Sequence, residues 1–189
     1  TPLFEELNLD SSFRRNGTTG TDLYIAGFLN DSKWQEELVI AILDNFLVAI
    51  YNKNLIVKIG NMTISENTLK NIIESFKISE KKKYQSIWSY YQVLTSTDNP
   101  AENPNSFFLG DTFRDLGAFE LKILYDNLNR KVLISRANGM KIFDLDRLPS
   151  NIRFSAIFIL SGDNLNNYFK QMEAPQHDSW EPDRHPDKN

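Results

Sequence analysis

Ala118-Phe119-Glu120-Leu121-Lys122-Ile123-Leu124-Tyr125-Asp126-Asn127-Leu128-Asn129-Arg130-Lys131-Val132-Leu133-Ile134-Ser135-Arg136 is the stretch on which the fold is read. Its two apolar runs, 118–125 and 131–136, are rich in aromatic and branched side chains and have the length of strands. Asp126 to Asn129 between them is turn chemistry, so the spacing predicts a hairpin connection. Arg153 to Leu160 repeats the texture as a third strand. Gly139 predicts a bend between Ile134 and Ile142.

Upstream the period changes. Trp34, Leu38, Ile42, Phe46 and Ile50 recur at every fourth residue, and Val39, Leu43 and Leu47 widen the stripe. This predicts a long helix buried on most of its faces, opened by a capping box of Ser32 and Gln35. Asp44 and Asn45 interrupt the apolar run. A buried amide must be hydrogen-bonded, so Asn45 is expected to tie to a neighbouring loop. Leu55 to Ile59 reads as a strand, and Ser65 caps a short helix carrying Leu69, Ile72, Ile73 and Phe76. Ser79 to Leu94 fits a helix by the spacing of Tyr84, Ile87, Trp88 and Tyr91, and a strand by its aromatic content. Thr95 to Asn105 is a loop. Nearer the start, Thr21 to Phe28 alternates as a strand. A last short helix opens at Gly162-Asp163 and runs through Met172, and Pro175, Pro182 and Pro186 exclude regular structure beyond it.

The order is a strand, a long helix, a strand, further helices, three strands and a helix. That is an α+β chain with helices packed on a mixed sheet. Residues 1–20 form a lead-in, 21–172 the α+β domain with a subdivision left open near 95–105, and 173–189 an irregular tail.

Composition bounds the function. The chain has 189 residues, 41% hydrophobic and 12% aromatic, which is enough for a sizeable core and unlike a disordered chain. A net charge of −4 counts against a general nucleic-acid binder, although local basic patches stay open. No cysteine is present, which excludes a disulfide framework, a zinc–thiolate site and a thiol nucleophile, and fits a cytoplasmic location. Leu38 to Tyr51 is the longest apolar run and is too short to span a bilayer. The sequence opens on Thr1 with no signal-peptide pattern and is expected to be a piece of a longer polypeptide.

Three stretches carry candidate chemistry. In Arg14-Arg15-Asn16-Gly17-Thr18-Thr19-Gly20-Thr21, glycines allow backbone N–H groups close to an anion, and Arg14 and Arg15 complement phosphate. An ordinary flexible loop explains the same composition. No Gly-Lys-Ser/Thr follows, so it is not a Walker loop. In Arg136-Ala137-Asn138-Gly139-Met140-Lys141, a strand end and a glycine bend bring two cations close in sequence. Arg136 suits bidentate phosphate contact and Lys141 supplies a point charge; a hairpin with solvated cations is the plain alternative. The third is the tail, with His177, Asp178, Trp180, Glu181 and Arg184. Its His and carboxylates invite a metal or acid–base role, but no ligand spacing is present. It reads better as a docking segment anchored by Trp180. Lys81-Lys82-Lys83 beside Tyr84, Trp88, Tyr90 and Tyr91 fits either a solvated helix start or a charge-and-stacking surface for nucleic acid.

Taken together, the Arg15 to Phe28 junction (Gly20, Thr21, Leu23, Ile25), the Arg136 to Ile142 turn and the Met172 to Arg184 tail resemble one family. They are similar to the region after the ATP-binding domain of bacterial GHKL-type ATPases (gyrase, the heat-shock chaperone, histidine kinases, MutL), distantly like the MORC type. The resemblance implies a two-layer, ribosomal-protein-like transducer fold with a left-handed βαβ crossover. It implies a non-catalytic transducer in which Arg136 or Lys141 senses the terminal phosphate of ATP, with Gly20, Thr21 and Arg15 in the lid. The family's magnesium-binding Asn/Glu helix and Asp-x-Gly-x-Gly motif do not occur in this sequence. ATP and Mg2+ are therefore expected only in the full-length protein, with the chain's own N-terminal ATP-binding domain as partner in cis and a homodimer as assembly. No catalytic residue, no metal and no membrane are expected. A protein- or nucleic-acid-interaction module without nucleotide dependence is the alternative function.

Overall fold

The second half of the chain forms five strands, and most of the described first half is helical. The computed structural model describes residues 33–76, 82–99, 101–125, 130–146, 148, 151–176 and 178–186. In chain order the elements are α1 (Trp34–Tyr51), β1 (Val57–Ile59), β2 (Met62–Ile64), α2 (Glu66–Ser75), α3 (Lys82–Thr95), β3 (Ser106–Phe113), β4 (Gly117–Tyr125), β5 (Lys131–Arg136), β6 (Lys141–Leu145), β7 (Phe154–Leu160) and α4 (Asp163–Lys170), with a 3-10 turn at Pro182–Arg184. The expected strand 21–28, the lead-in 1–20 and Ser32 lie outside the described residues.

α1 buries Val39, Ile40, Leu43, Leu47, Val48, Ala49 and Ile50. Of the expected main stripe only Ile50 is buried, Trp34, Ile42 and Phe46 are half-buried and Leu38 is exposed, so the helix packs through the widening positions Val39, Leu43 and Leu47 and has an open face. It kinks at Phe46 (φ −129°, ψ 15°), and there the Ala49 N–H donates to the carbonyl of Gly139 at 3.2 Å. A carbonyl from elsewhere in the chain inserted beside a helix break accounts for the kink. Asn45 does not reach a loop: its side chain donates to Ala41 O of its own helix, one turn back, and is exposed. α2 begins at Ser65 as expected. Thr68 stands where a capping box has Glu or Gln, and its hydroxyl accepts from Ser65 N–H at 2.9 Å while donating to Thr63 O. The ambiguous stretch is helical. Tyr84, Ile87, Tyr90, Val93 and Leu94 are buried, and the Tyr84 hydroxyl closes on Ile73 O at the end of α2. Burial of one aromatic stripe overrides the strand propensity of its residues.

The large sheet has the order β3-β4-β7-β5-β6, and β1 and β2 form a separate antiparallel pair. β7 runs parallel to β5, and every other neighbour is antiparallel. The architecture is thus α+β with a mixed sheet. Three expectations are corrected. β4 and β5 do not form a hairpin, because β7 lies between them. The parallel pair is joined through β6 and not through a helix, so no βαβ crossover connects it. The sheet is also covered on both faces, giving three layers.

Pleat parity shows the third correction, since paired residues share a face. Lys122, Ile157, Leu133 and Asp144 align across the sheet on one face, and Leu121, Phe158, Ile134 and Phe143 on the other. α3 lies on the first, where Tyr90 donates to Asp144 and Lys122 donates to Leu94 O and Ser96 O. On the second, Leu165 of α4 packs with Ile134, Ile142 and Leu160, joined by Phe119, Phe158, Phe169 and Trp180. The loop near 95–105 divides nothing: Gln35–Asn189 is one unit, and Asp98 pairs with Lys122 at 2.7 Å.

Candidate functional site

Gly139 shapes the β5–β6 turn. Its φ is +86°, and a Cβ there would lie 2.4 Å from Ala49 N, so only glycine lets α1 come so close. The turn is held by Arg136 N–H to Met140 O and by Asn138 Oδ1 accepting from Met140 N–H. A bulge at Ile134/Ser135 shifts the register before Lys141. The two cations flanking this turn therefore leave on different faces.

Arg136 is paired across to Leu160, on the face of α4 and the tail. Its Nε donates to Glu173 Oε1 at 3.2 Å and its Nη2 to Glu173 Oε2, a two-pronged grip on a carboxylate whose side chain is 2% exposed. Lys141 points the other way. Its Nζ lies 2.9 Å from Asp44 Oδ1 of α1 and 2.9 Å from Asp144 Oδ2, and Tyr90 holds the second Asp144 oxygen. Burial works to lower the Lys141 ammonium, but the Asp144 charge and the hydrogen bonds to Asp44 and Asp144 outweigh it and raise its pKa. Each cation is thus matched by carboxylate inside the fold, and the two do not converge on one point.

The tail folds back on the sheet. Met172, Glu173 and Ala174 are buried, Glu173 bridges Trp180, and Glu181 N–H donates to Met172 O at 2.7 Å. Trp180 meets Phe143 edge-on at 5.0 Å and lies over Phe169 at 4.2 Å. Its indole N–H is buried with no partner among the described residues. His185 is buried against the Tyr168 ring. Asp178 is exposed beside Ser179, and Glu181 pairs with Arg184 at the surface. His177, Arg15, Gly20 and Thr21 lie outside the described residues.

No protein-family model, curated protein or solved structure matches this chain.

Among the described residues no three His, Asp or Glu side chains gather as a metal site would require, and no helix is long and apolar enough to cross a membrane. An open depression of about 200 Å³ beside the start of α2, lined by Lys53, Leu55, Ile56, Ser65, Glu66 and Asn67, is smaller than an ordinary ligand pocket.

The feature that sequence reasoning missed is β3. Phe107, Phe108, Leu109 and Phe113 are all exposed on this edge strand, with Tyr125 exposed on β4 beside it. Phe107, Leu109 and Phe113 share a face with Phe119, Leu121, Ile123 and Tyr125. That face is apolar apart from Asp111. The run Phe107-Phe108-Leu109 straight after a Pro/Asn loop was the available signal. It lacks clean alternation because Phe108, on the opposite side, stands between Phe107 and Leu109.

Proposed function

We propose that this chain is a non-catalytic protein-interaction module that works through the β3–β4 end of its sheet. The exposed apolar row Phe107, Leu109, Phe113 and Tyr125 carries this reading. Large apolar side chains clustered on a sheet face and edge mark an interaction surface in a soluble protein. The net charge of −4 favours a protein partner over nucleic acid. The paired state of Lys141 and Arg136 leaves no cation free at the β5–β6 turn to receive a phosphate.

The test is binding of an apolar reporter dye such as bis-ANS to the native chain. The double variant Phe107→Ser/Phe113→Ser should lose most of the signal while keeping its circular dichroism. Undiminished dye binding by a folded double variant would refute the reading.

The transducer of a GHKL-type ATPase is the second reading, and one observation favours it. The Arg136 guanidinium holds Glu173 in the two-pronged geometry with which arginine also holds phosphate. On that reading the tail would have to release Arg136 before ATP could be sensed. In a polypeptide that also carries the ATP-binding domain, Mg-ATP would then bind Glu173→Gln more tightly than the unsubstituted protein in calorimetric titration, and equal affinity of the two would remove this reading.

A further inference from the structure

We propose that the outer edge of β3 pairs with β3 of a second copy of this chain, antiparallel and centred on Leu109. This rests on the reading of the β3–β4 end as an interaction surface, and names its partner. Tyr125 N–H donates to Asn105 O. The Ser106↔Leu124 pair is therefore of the non-hydrogen-bonded kind, and Phe107, Leu109, Asp111 and Phe113 spend their backbone groups on β4. Ser106, Phe108, Gly110 and Thr112 turn theirs outward.

The two ends of that outward row are already closed. Ser106 N–H donates to Asn103 O at 3.0 Å, and Thr112 N–H donates to Asp111 Oδ1 at 2.7 Å. Between them the N–H groups of Phe108 and Gly110 have no acceptor among the described residues. This open segment is symmetric about Leu109. An antiparallel second copy related by a two-fold axis at Leu109 sets Phe108 against Gly110 and Gly110 against Phe108, and each open N–H finds a carbonyl.

The side chains agree with that register. Gly110 has no side chain to oppose Phe108, whose own ring already leans to 3.5 Å from where a Gly110 Cβ would be. Leu109 faces Leu109 on the axis, Ser106 faces Thr112, and Asp111 faces Phe107 and not another acid. Asp111 is the strand's one charge, and the segment lacks the lysine, proline or bulge that blunts natural edges. Pairing through one short strand edge belongs to the small interface class, below about 1,200 Å², so weak association is expected.

Sedimentation velocity over rising protein concentration tests this, with Leu109→Lys and Leu109→Glu as variants. The native chain should pass from monomer to dimer. Each variant sets like charges face to face on the axis and should dimerise at least about tenfold more weakly. An equal mixture of the two should recover the dimer, which a merely destabilised fold would not do. Gly110→Pro, which removes an outward N–H without touching the bonds to β4, should also stay monomeric. A native chain that is monomeric throughout, or a mixture that does not recover, overturns the proposal. If the dye still binds a monomeric native chain through Phe107 and Phe113, the surface reading survives and the second copy is not its partner.

Discussion

The two ends of the five-stranded sheet are built differently. At the β5–β6 end each face is covered. α1 approaches the turn on one side, α4 and the tail close the other, and Arg136 and Lys141 both end on carboxylates. At the β3–β4 end large apolar side chains stand exposed, and part of a strand edge is unpaired among the described residues. The cations that catch the eye in the sequence are paired with carboxylates where the fold is closed. Surface with unmet binding capacity lies where the sequence has few charges. Perturbing the first end should cost stability, and perturbing the second should cost association.

The largest effect is expected at Gly139. A side chain there meets Ala49 backbone at a backbone angle that β-branched residues avoid. Gly139→Val should lower the unfolding free energy by about 4 kcal/mol, combining left-handed strain with overpacking. Urea denaturation checks this; a loss under about 1 kcal/mol would show that α1 does not dock tightly on the turn.

Next comes Glu173. Removing a buried carboxylate leaves Arg136 facing a desolvated gap, and Glu173→Ala should cost about 3 kcal/mol. Limited proteolysis should then cut within 173–186 sooner than in the native chain, because the carboxylate and Trp180 hold the tail together. Equal protease resistance would assign the tail's docking to Trp180 alone.

Lys141 gives a pH signature. Its pKa is raised in the fold, so protonated Lys141 stabilises the chain fully below its ordinary value of 10.5. That contribution is lost as pH rises through the higher folded value. The native chain should therefore lose stability above pH 10.5 more steeply than Lys141→Met, by up to about 1.4 kcal/mol per pH unit for one proton. Parallel profiles for the two proteins would mean that the Asp44–Lys141–Asp144 cluster is not tighter than solvent.

Much of the fold was legible in the sequence. The presence of α1, the Ser65 cap, the bend at Gly139 and the strands expected at 118–125, 131–136 and 153–160 follow from period and turn chemistry. What could not be read is pairing. Nothing local says that β7 inserts between β4 and β5, since strand order is a long-range property. Arg136 and Lys141 lie five residues apart in sequence, yet a bulge and a glycine turn send them to opposite faces. Glu173 and Asp44 are remote in sequence and carry no spacing signal, whereas Asp144, the other partner of Lys141, lies three residues on. β3 was missed for a different reason: Phe108 between Phe107 and Leu109 masks the alternation, and Gly110 to Thr112 supply no apolar residue to restore it.

The smallest effect belongs to the open end, and it sharpens the comparison most. Phe107 and Phe113 are each close to half exposed, at 44% and 46%. Phe107→Ser/Phe113→Ser removes apolar surface that the isolated chain leaves in water, so its unfolding free energy should stay within about 0.5 kcal/mol of the native value at low protein concentration. At higher concentration the native chain alone should gain stability, because association favours only its folded form. A loss of about 2 kcal/mol at every concentration would place these rings in the folding core and erase the distinction between the two ends.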